Sequence, residues 1–371
     1  MEERNEYNNP LEQPEHVEVS DFLPSLKWQE VDISSHWLDF TKEQIKTQYT
    51  LEYNGVGFAP IGGIQALTGQ AGHGKTAFFT MLMVAILKGE YCGLRYRLYG
   101  TPMPKVLYID TEMEECNTQL VARRLYKIMG WKRNTKQEQF YVMRLREVDE
   151  AEMRWKMALK AIYEIKPTVV FLDGFIDVLN DFNDNKECQE RIYQDMKAAS
   201  FYNISFWNIL HQNPGSTKMV GHSGSFLERK TTDVFMVQKD KEGNAVSFTA
   251  KQLKARGKDV EDMTYKFRDD EDHIGIPYID GKDDDDDAET VNPIEQARKM
   301  VSVIGDDTIS FTALRERIRK AYEIGSGKAK EYIDEAEKYG ILIRKGNQYT
   351  KPRALEADLN NEKLDDDKPP F

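Results

Sequence analysis

Cysteine is scarce in this chain of 371 residues: Cys92, Cys116 and Cys188 are the only three. They form no C-x-x-C or Cys/His pair, so neither a zinc site nor a disulfide framework is indicated. A reducing, cytosolic compartment fits that usage. Long apolar runs are missing as well. The longest, residues 78–87, is far short of the roughly 20 residues that span a bilayer. The opening residues, MEERNEYNNPLEQPEH, are polar and acidic, unlike a secretory signal. There is no internal repeat. The expectation is a soluble, cytoplasmic protein with no membrane partner. Acid is in excess: 63 Asp and Glu face 51 Lys and Arg, a formal charge of −12 that is unevenly spread.

Residues 1–20 are polar, carry Pro10 and Pro14, and read as a disordered or interaction arm. Residues 21–55 mix charge with Phe22, Trp28, Trp37 and Phe40, as in a lead-in segment that packs on the next domain or on a neighbouring subunit. Residues 56–275 alternate short apolar runs with amphipathic stretches. Strands are predicted at 64–68, 105–110, 140–145, 168–172 and 205–210. Helices are predicted at 76–88, at 117–129 and after Asp149 as N-cap. Continuous apolar strands separated by helices predict an α/β fold, with a mostly parallel sheet covered on both faces. Past Asp233 the texture is β-rich, and Glu242-Gly243-Asn244 reads as a hairpin turn.

Residues 276–292 include five adjacent Asp, which repel one another and predict a solvated acidic linker. In residues 293–355, Pro293 suits the first position of a helix. A short extended piece, helices at 311–322 and 328–339, and two strands joined by Lys345-Gly346-Asn347 complete the outline of a winged helix. Residues 356–371 read as an acidic, disordered tail.

Residues 69–76 read GQAGHGKT, a complete GxxxxGK[ST]. Gly69, Gly72 and Gly74 let the backbone of Gln70, Ala71 and His73 turn its N–H groups inward as a nest for phosphate oxygens. The helix that follows aims its positive end at the same anion. Lys75 would reach the β- and γ-phosphates, and the hydroxyl of Thr76 would bind Mg²⁺. ATP and Mg²⁺ are therefore the expected cofactors. Asp173 ends the apolar strand TVVFLD, where a carboxylate can hold the Mg²⁺ shell or simply cap the turn after a strand.

Hydrolysis also needs a group that orients or deprotonates water. Glu112 follows the strand KVLYID in the sequence DTE, with Glu114 and Glu115 as rivals. His211, Gln212 and Asn213 follow SFWNIL, as a polar sensor or as a solvated loop. Lys254-Ala255-Arg256-Gly257 lies late in the β-rich part.

This order of motifs resembles the RecA-like P-loop ATPases, and the hexameric helicases of the DnaB and plasmid RepA type in particular. Those ATPases place a catalytic glutamate at the end of the strand next to the P-loop strand, the position Glu112 matches. Gln212 matches the sensor of RecA and DnaB, and His211 that of the RepA-like helicases. Lys254 and Arg256 match a K-x-R-G element that reaches across a subunit interface to the neighbour's ATP. GHSGSFLERKTTDVF resembles the DnaB pattern of SGS followed by DV, with two residues more between them.

The resemblance implies a homo-hexameric ring with single-stranded DNA in a central channel, contacted by loops 181–187 and 213–232; the first, DFNDNKE, is acidic, which speaks against a strong DNA role there. Lys218, Arg229 and Lys230 in the second loop suit backbone contact. Between 293 and 353 there are 13 basic and nine acidic residues, a net of +4. That favours duplex DNA at Lys328, Lys330, Arg344, Lys345 and Lys351, or else a protein partner. The final DDDKPPF resembles the tip of bacterial single-stranded DNA-binding proteins, which docks on replication partners; the alternative is a solubilising tail. The functional expectation is a replicative helicase or translocase of a plasmid or mobile element. The alternatives are a KaiC-like regulatory ATPase and a RecA-like recombinase.

Overall fold

In the computed structural model of the chain, the structure describes residues 37–41, 47–98, 103–212, 219, 221–243, 245–268, 274–282, 308–338 and 342–350. The arm at 1–20, the start of the lead-in, Lys218, most of the acidic linker, Pro293, Lys351 and the tail lie outside them. The chain divides into Met1–Lys46 and Thr47–Phe371. In the first unit Trp37, Leu38 and Phe40 are exposed, and the Asp39 carboxylate accepts from the Thr41 N–H.

The second unit opens with β1 (Tyr49–Tyr53), β2 (Val56–Pro60) and β3 (Ile64–Gly69), then α1 (Lys75–Lys88), β4 (Glu90–Tyr91) and β5 (Leu94–Tyr96). It continues with β6 (Val106–Asp110), α2 (Glu115–Ile128), β7 (Phe140–Arg144), α3 (Ala151–Ile165), β8 (Val169–Asp173), α4 (Asn185–Tyr202), β9 (Ser205–His211) and α5 (Gly221–Lys230). Next come β10 (Asp233–Glu242), β11 (Ala245–Lys254), β12 (Met263–Arg268) and β13 (Ile276–Tyr278). The described residues end with β14 (Ile309–Ser310), α6 (Phe311–Tyr322), α7 (Ser326–Lys338), β15 (Ile343–Lys345) and β16 (Gln348–Thr350).

The central sheet has nine strands in the order β13-β12-β11-β10-β3-β9-β8-β6-β7. From β10 to β7 all pairings are parallel. The β11, β12 and β13 pairings are antiparallel. Its strands are apolar on both faces because side chains alternate between two layers. Val106, Tyr108, Phe171 and Trp207 point into the core that contains α1. Leu107, Ile109, Leu172 and Phe206 point into the core of α3 and α4. Helix α1 is buried on nearly every side. A second sheet, β2-β1-β5-β4, contributes to its core beside the main sheet. An all-round apolar helix needs such cover.

Several expectations are corrected. The boundary at 56 cuts through a hairpin: β1 and β2 pair across Asn54-Gly55, both with positive φ (49° and 81°), the backbone of a type I′ turn. The boundary at 275 likewise falls just before β13, which extends the main sheet. Asp149 is not the helix cap; Glu150 holds that place, without a side-chain bond. Residues 221–230 form α5 rather than loop, so Arg229 and Lys230 end a helix. There Arg229 lies over the Phe226 ring, and Lys230 over Tyr193 and Phe226.

The C-terminal elements have a core of their own, with Leu314, Ile318, Ile333 and Tyr349. Their sheet order is β14-β16-β15. The Ser310 hydroxyl caps α6 through the Ala313 N–H.

One buried group tests this packing. Asp195 on α4 is fully buried, and its Oδ2 accepts from Asn208 Nδ2 on β9 at 2.9 Å. Its Oδ1 and Asn208 Oδ1 lack partners. Both are acceptors while Asp195 is ionised, so a proton on the carboxyl supplies the missing donor. Burial pushes the carboxyl up from 3.8 to about 7, against the pull of Arg191 and Asn208. The folded chain therefore holds a proton that the unfolded chain releases. This group's contribution to stability is greatest at low pH, declines as pH rises towards 7, and stays reduced above. Asp195→Asn keeps a donor at every pH. It is expected to raise the melting temperature, more at about pH 8 than at about pH 5, with a ceiling of about 4 kcal/mol. A gap independent of pH would show that Asp195 is ionised in the folded chain.

Candidate functional site

Four parallel strands deliver their last residues to one edge of the sheet: β3 into the P-loop, β9 into His211, β8 into Asp173 and β6 into Asp110. Ligands of open α/β sheets bind at this carboxyl edge. Gly69 is in register with His211, and Asp110 with Asp173.

The loop needs its glycines. Gly74 caps α1 with φ 89°. A Cβ there would lie 2.7 Å from both the Phe248 ring and the Tyr265 hydroxyl. Tyr265 is buried and donates to Gly74 O at 2.8 Å, which clamps the loop's exit to β12. A Cβ on Gly69 would meet Val237 O at 2.7 Å. Ala71 and Gly72 form the exposed rim, and Gln70, His73 and Thr76 are half-buried. Burial first, then the charges of Lys75 and Lys239, hold His73 below its ordinary pKa.

Lys75 is buried. Its Nζ donates to Gly69 O at 2.9 Å and Gln70 O at 3.1 Å, and lies 3.2 Å from His211 Nδ1. His211 Nε2 lies 3.1 Å from Glu112 Oε2. An ammonium can only donate, so Nδ1 accepts and Nε2 carries the proton given to Glu112. The structure thus joins Lys75, His211 and Glu112 in one chain. Burial lowers the Lys75 pKa, opposed by the charges of Asp173 and Glu112. For Glu112 burial pushes upward, but the His211 hydrogen bond and the Lys75 charge outweigh it, leaving the carboxyl below its ordinary range. Glu112 is thus held as an ionised carboxylate that accepts from His211.

The rivals are turned elsewhere. Glu114 pairs with Arg146 at 2.6 Å and Glu115 with Arg144 at 2.9 Å. The strand of Glu112 is also not beside the P-loop strand, as the resemblance implied; β9 and β8 stand between them. Gln212 is buried after β9, its N–H donating to Gly69 O at 3.4 Å.

Asp173 is buried, and burial, then the Glu112 charge, raise its pKa to about 7. Mg²⁺ takes oxygen ligands, keeps several waters, and is held by one or two protein oxygens plus substrate phosphates. The Asp173 carboxylate and Thr76 hydroxyl are such donors. Among the described residues no cluster of three or more His, Cys, Asp or Glu could hold a metal without help. The donor set fits a cation that arrives with phosphate oxygens.

Three further residues of this edge, Asp110, Thr111 and Asp177, were given no role from sequence. Asp110 accepts from the N–H groups of Glu112 and Met113 at 3.0 Å each, and from the Thr118 hydroxyl. It thereby shapes the turn that presents Glu112. Thr111 Oγ1 bonds Asp173 O at 2.8 Å and Asp177 Oδ2 at 2.7 Å, tying the turns after β6 and β8 together. Asp177 itself lies among these acids and is raised by burial. The DTE sequence and the strand TVVFLD gave the chain positions, but strand adjacency reveals the bonds.

Lys254 and Arg256 do not join this site. Lys254 is in register with Val234, and Val234 with Ala66, three residues before Gly69. That is about 10 Å back along the strand. Lys254 Nζ instead donates to the carbonyls of Glu228, Arg229 and Thr231. It caps the negative end of α5. Arg256 is exposed.

Residues 33–214 match the family model of an AAA domain. That domain is P-loop ATPase-like and is found in RecA-like helicase and recombinase families. The match spans the P-loop, Glu112, Asp173, His211 and Gln212 and supports ATPase activity. It implies nucleotide binding, typically with Mg²⁺. No curated protein matches the chain. Among the described residues no helix is long and apolar enough to cross a membrane.

The three glutamates separate in a direct comparison. Glu112→Gln is expected to bind ATP with near-normal affinity and to lose about 10²–10⁴-fold in single-turnover phosphate release. Glu114→Gln and Glu115→Gln, which lose only exposed pairs, should stay within a few-fold. A larger loss from either would move the base away from Glu112.

Proposed function

We propose that the chain is an ATP-driven helicase or translocase that assembles into a ring, most simply a homo-hexamer, around single-stranded DNA. The reading of this edge as a hydrolytic site is carried by the Lys75–His211–Glu112 chain. A γ-phosphate entering the loop competes with His211 for the Lys75 ammonium. His211 and Glu112 then reorganise together, so the group that activates water responds to the phosphate it cleaves. His211 and Gln212 lead directly into residues 213–218, where DNA contacts, Lys218 among them, are expected. The replication of a plasmid or mobile element is the setting that the motif order favours.

The position of the K-x-R-G element supports assembly. On its own chain it lies away from the P-loop edge. Of its two cations Lys254 is committed to α5, while Arg256 is exposed. Arg256 is therefore the residue offered to a neighbour's nucleotide, as an arginine finger acting in trans. Arg256→Ala is expected to lose 10³-fold or more in ATP turnover. Mixing it with Glu112→Gln subunits should restore part of that turnover, because mixed interfaces pair an intact Glu112 with an intact Arg256. No recovery over a range of mixing ratios would place Arg256 outside the active site.

A second reading is favoured by α7. In a winged helix this element would enter the major groove, yet its sequence carries three lysines against four acids. Lys328 is paired with Glu331 at 3.0 Å, while Lys330 is exposed. Arg344 and Lys345 on the ribbon are exposed. The module therefore suits a protein partner as well as duplex DNA. That leaves room for a KaiC-like ATPase whose nucleotide state switches assembly. No observation favours the recombinase.

The deciding experiment measures ATPase rate with and without single-stranded DNA, beside particle imaging with a non-hydrolysable analogue. Stimulation of about tenfold and ring particles are expected. Assembly that depends on ATP without any DNA stimulation would replace the helicase reading with the regulatory one.

A further inference from the structure

Strand β6 places a second hydroxyl-bearing side chain at this edge. Tyr108 lies two residues before Asp110 and is in register with Phe171, two residues before Asp173. Its ring is fully buried in the layer that holds α1. Its hydroxyl donates to Asp173 Oδ2 at 2.8 Å.

A buried tyrosine hydroxyl needs a partner, and the sheet could have filled this layer with a phenylalanine, as it does at Phe171. The bond that results is charge-assisted when Asp173 is ionised. It also fixes orientation. A carboxylate at the end of a strand turns freely about its last torsion, whose preference is broad and roughly two-fold. A hydrogen bond to one oxygen sets the plane of the group and leaves the other oxygen uncommitted to Tyr108.

We propose that Tyr108 is a positioning residue for the nucleotide-bound Mg²⁺, anchoring Oδ2 of Asp173 so that the carboxylate is held ready for the cation's hydration shell. This rests on reading the edge as a Mg–nucleotide site. Residues that orient metal ligands from behind typically contribute 10–100-fold to metal affinity. Tyr108 touches neither nucleotide nor metal; its effect passes through Asp173 alone.

Tyr108→Phe removes the hydroxyl and keeps the ring. Binding of a fluorescent ATP analogue is titrated against Mg²⁺, starting in EDTA, for wild type, Tyr108→Phe, Asp173→Asn and the double variant. Tyr108→Phe should leave metal-free binding unchanged and raise the half-saturating Mg²⁺ about tenfold or more. In the Asp173→Asn background the same change should add less than about twofold, since residues acting through one group are not additive. An unchanged Mg²⁺ midpoint in the single variant, or an equal further shift in the double, overturns the proposal. If Tyr108→Phe melts early, the titrations are read well below its melting temperature, and the same two outcomes decide. Wild-type binding that ignores Mg²⁺ would instead overturn the reading of the site itself.

Discussion

A buried lysine ammonium dominates the architecture of this edge. Lys75 sits at the positive end of α1, where a cation is least welcome electrostatically, and where burial already disfavours its charge. It is tolerated because the strand ends around it supply what an anion would otherwise supply. Two backbone carbonyls and His211 accept from it directly, and Asp173 and Glu112 balance its charge. The same neighbours explain opposite fates for two acids. Glu112, tied to His211, is held below its ordinary range, whereas Asp173, deeper and beside Glu112, is pushed up to about 7. Two carboxylates in one small volume do not ionise with equal ease, and the one bonded to the relay keeps its charge. An arriving Mg–triphosphate brings both signs at once. In the proposed reading its phosphates would take over Lys75, and its cation would favour the ionised form of Asp173.

Parts of this were legible from sequence because they are local. The P-loop is a contiguous motif whose glycines answer to backbone geometry, and its flanking strand and helix are strongly apolar. Five of the six parallel strands stood out as apolar runs, and the double-sided alternation of Tyr108 against Leu107 follows from such runs. The β1–β2 hairpin also had its signal, Asn54-Gly55 between alternating side chains, but the aromatics around it drew residues 21–55 together as one lead-in. The hairpin of β4 and β5 is only two and three residues a side, too short to show a period.

What sequence could not give is adjacency. Glu112, Glu114 and Glu115 are equivalent as text. They separate only because Arg144 and Arg146, arriving on and after β7, bind the two outer ones. Asp110 reads as a strand's last residue until its carboxylate is seen capping the turn that carries Glu112. Tyr108 reads as core, and its ring is core; the hydroxyl acquires meaning from β8 lying alongside β6. Lys254 shows the reverse. Its motif pointed outward to another subunit, and three carbonyls at and just beyond the end of α5 claim it instead.

The direction of the strands sets a limit on how the remaining arginine can act. Strand β11 runs antiparallel to β10, so it leaves the sheet at the edge opposite to the one where β3 enters the P-loop. The anchor on α5 fixes where the loop carrying Arg256 begins, at the end of β11 away from the P-loop. The proposed role of Arg256 is therefore one toward the nucleotide of another copy. A finger of that kind makes hydrolysis depend on assembly. In the proposed ring, subunit contact would complete a site whose Glu112, His211 and Lys75 are already joined within each chain.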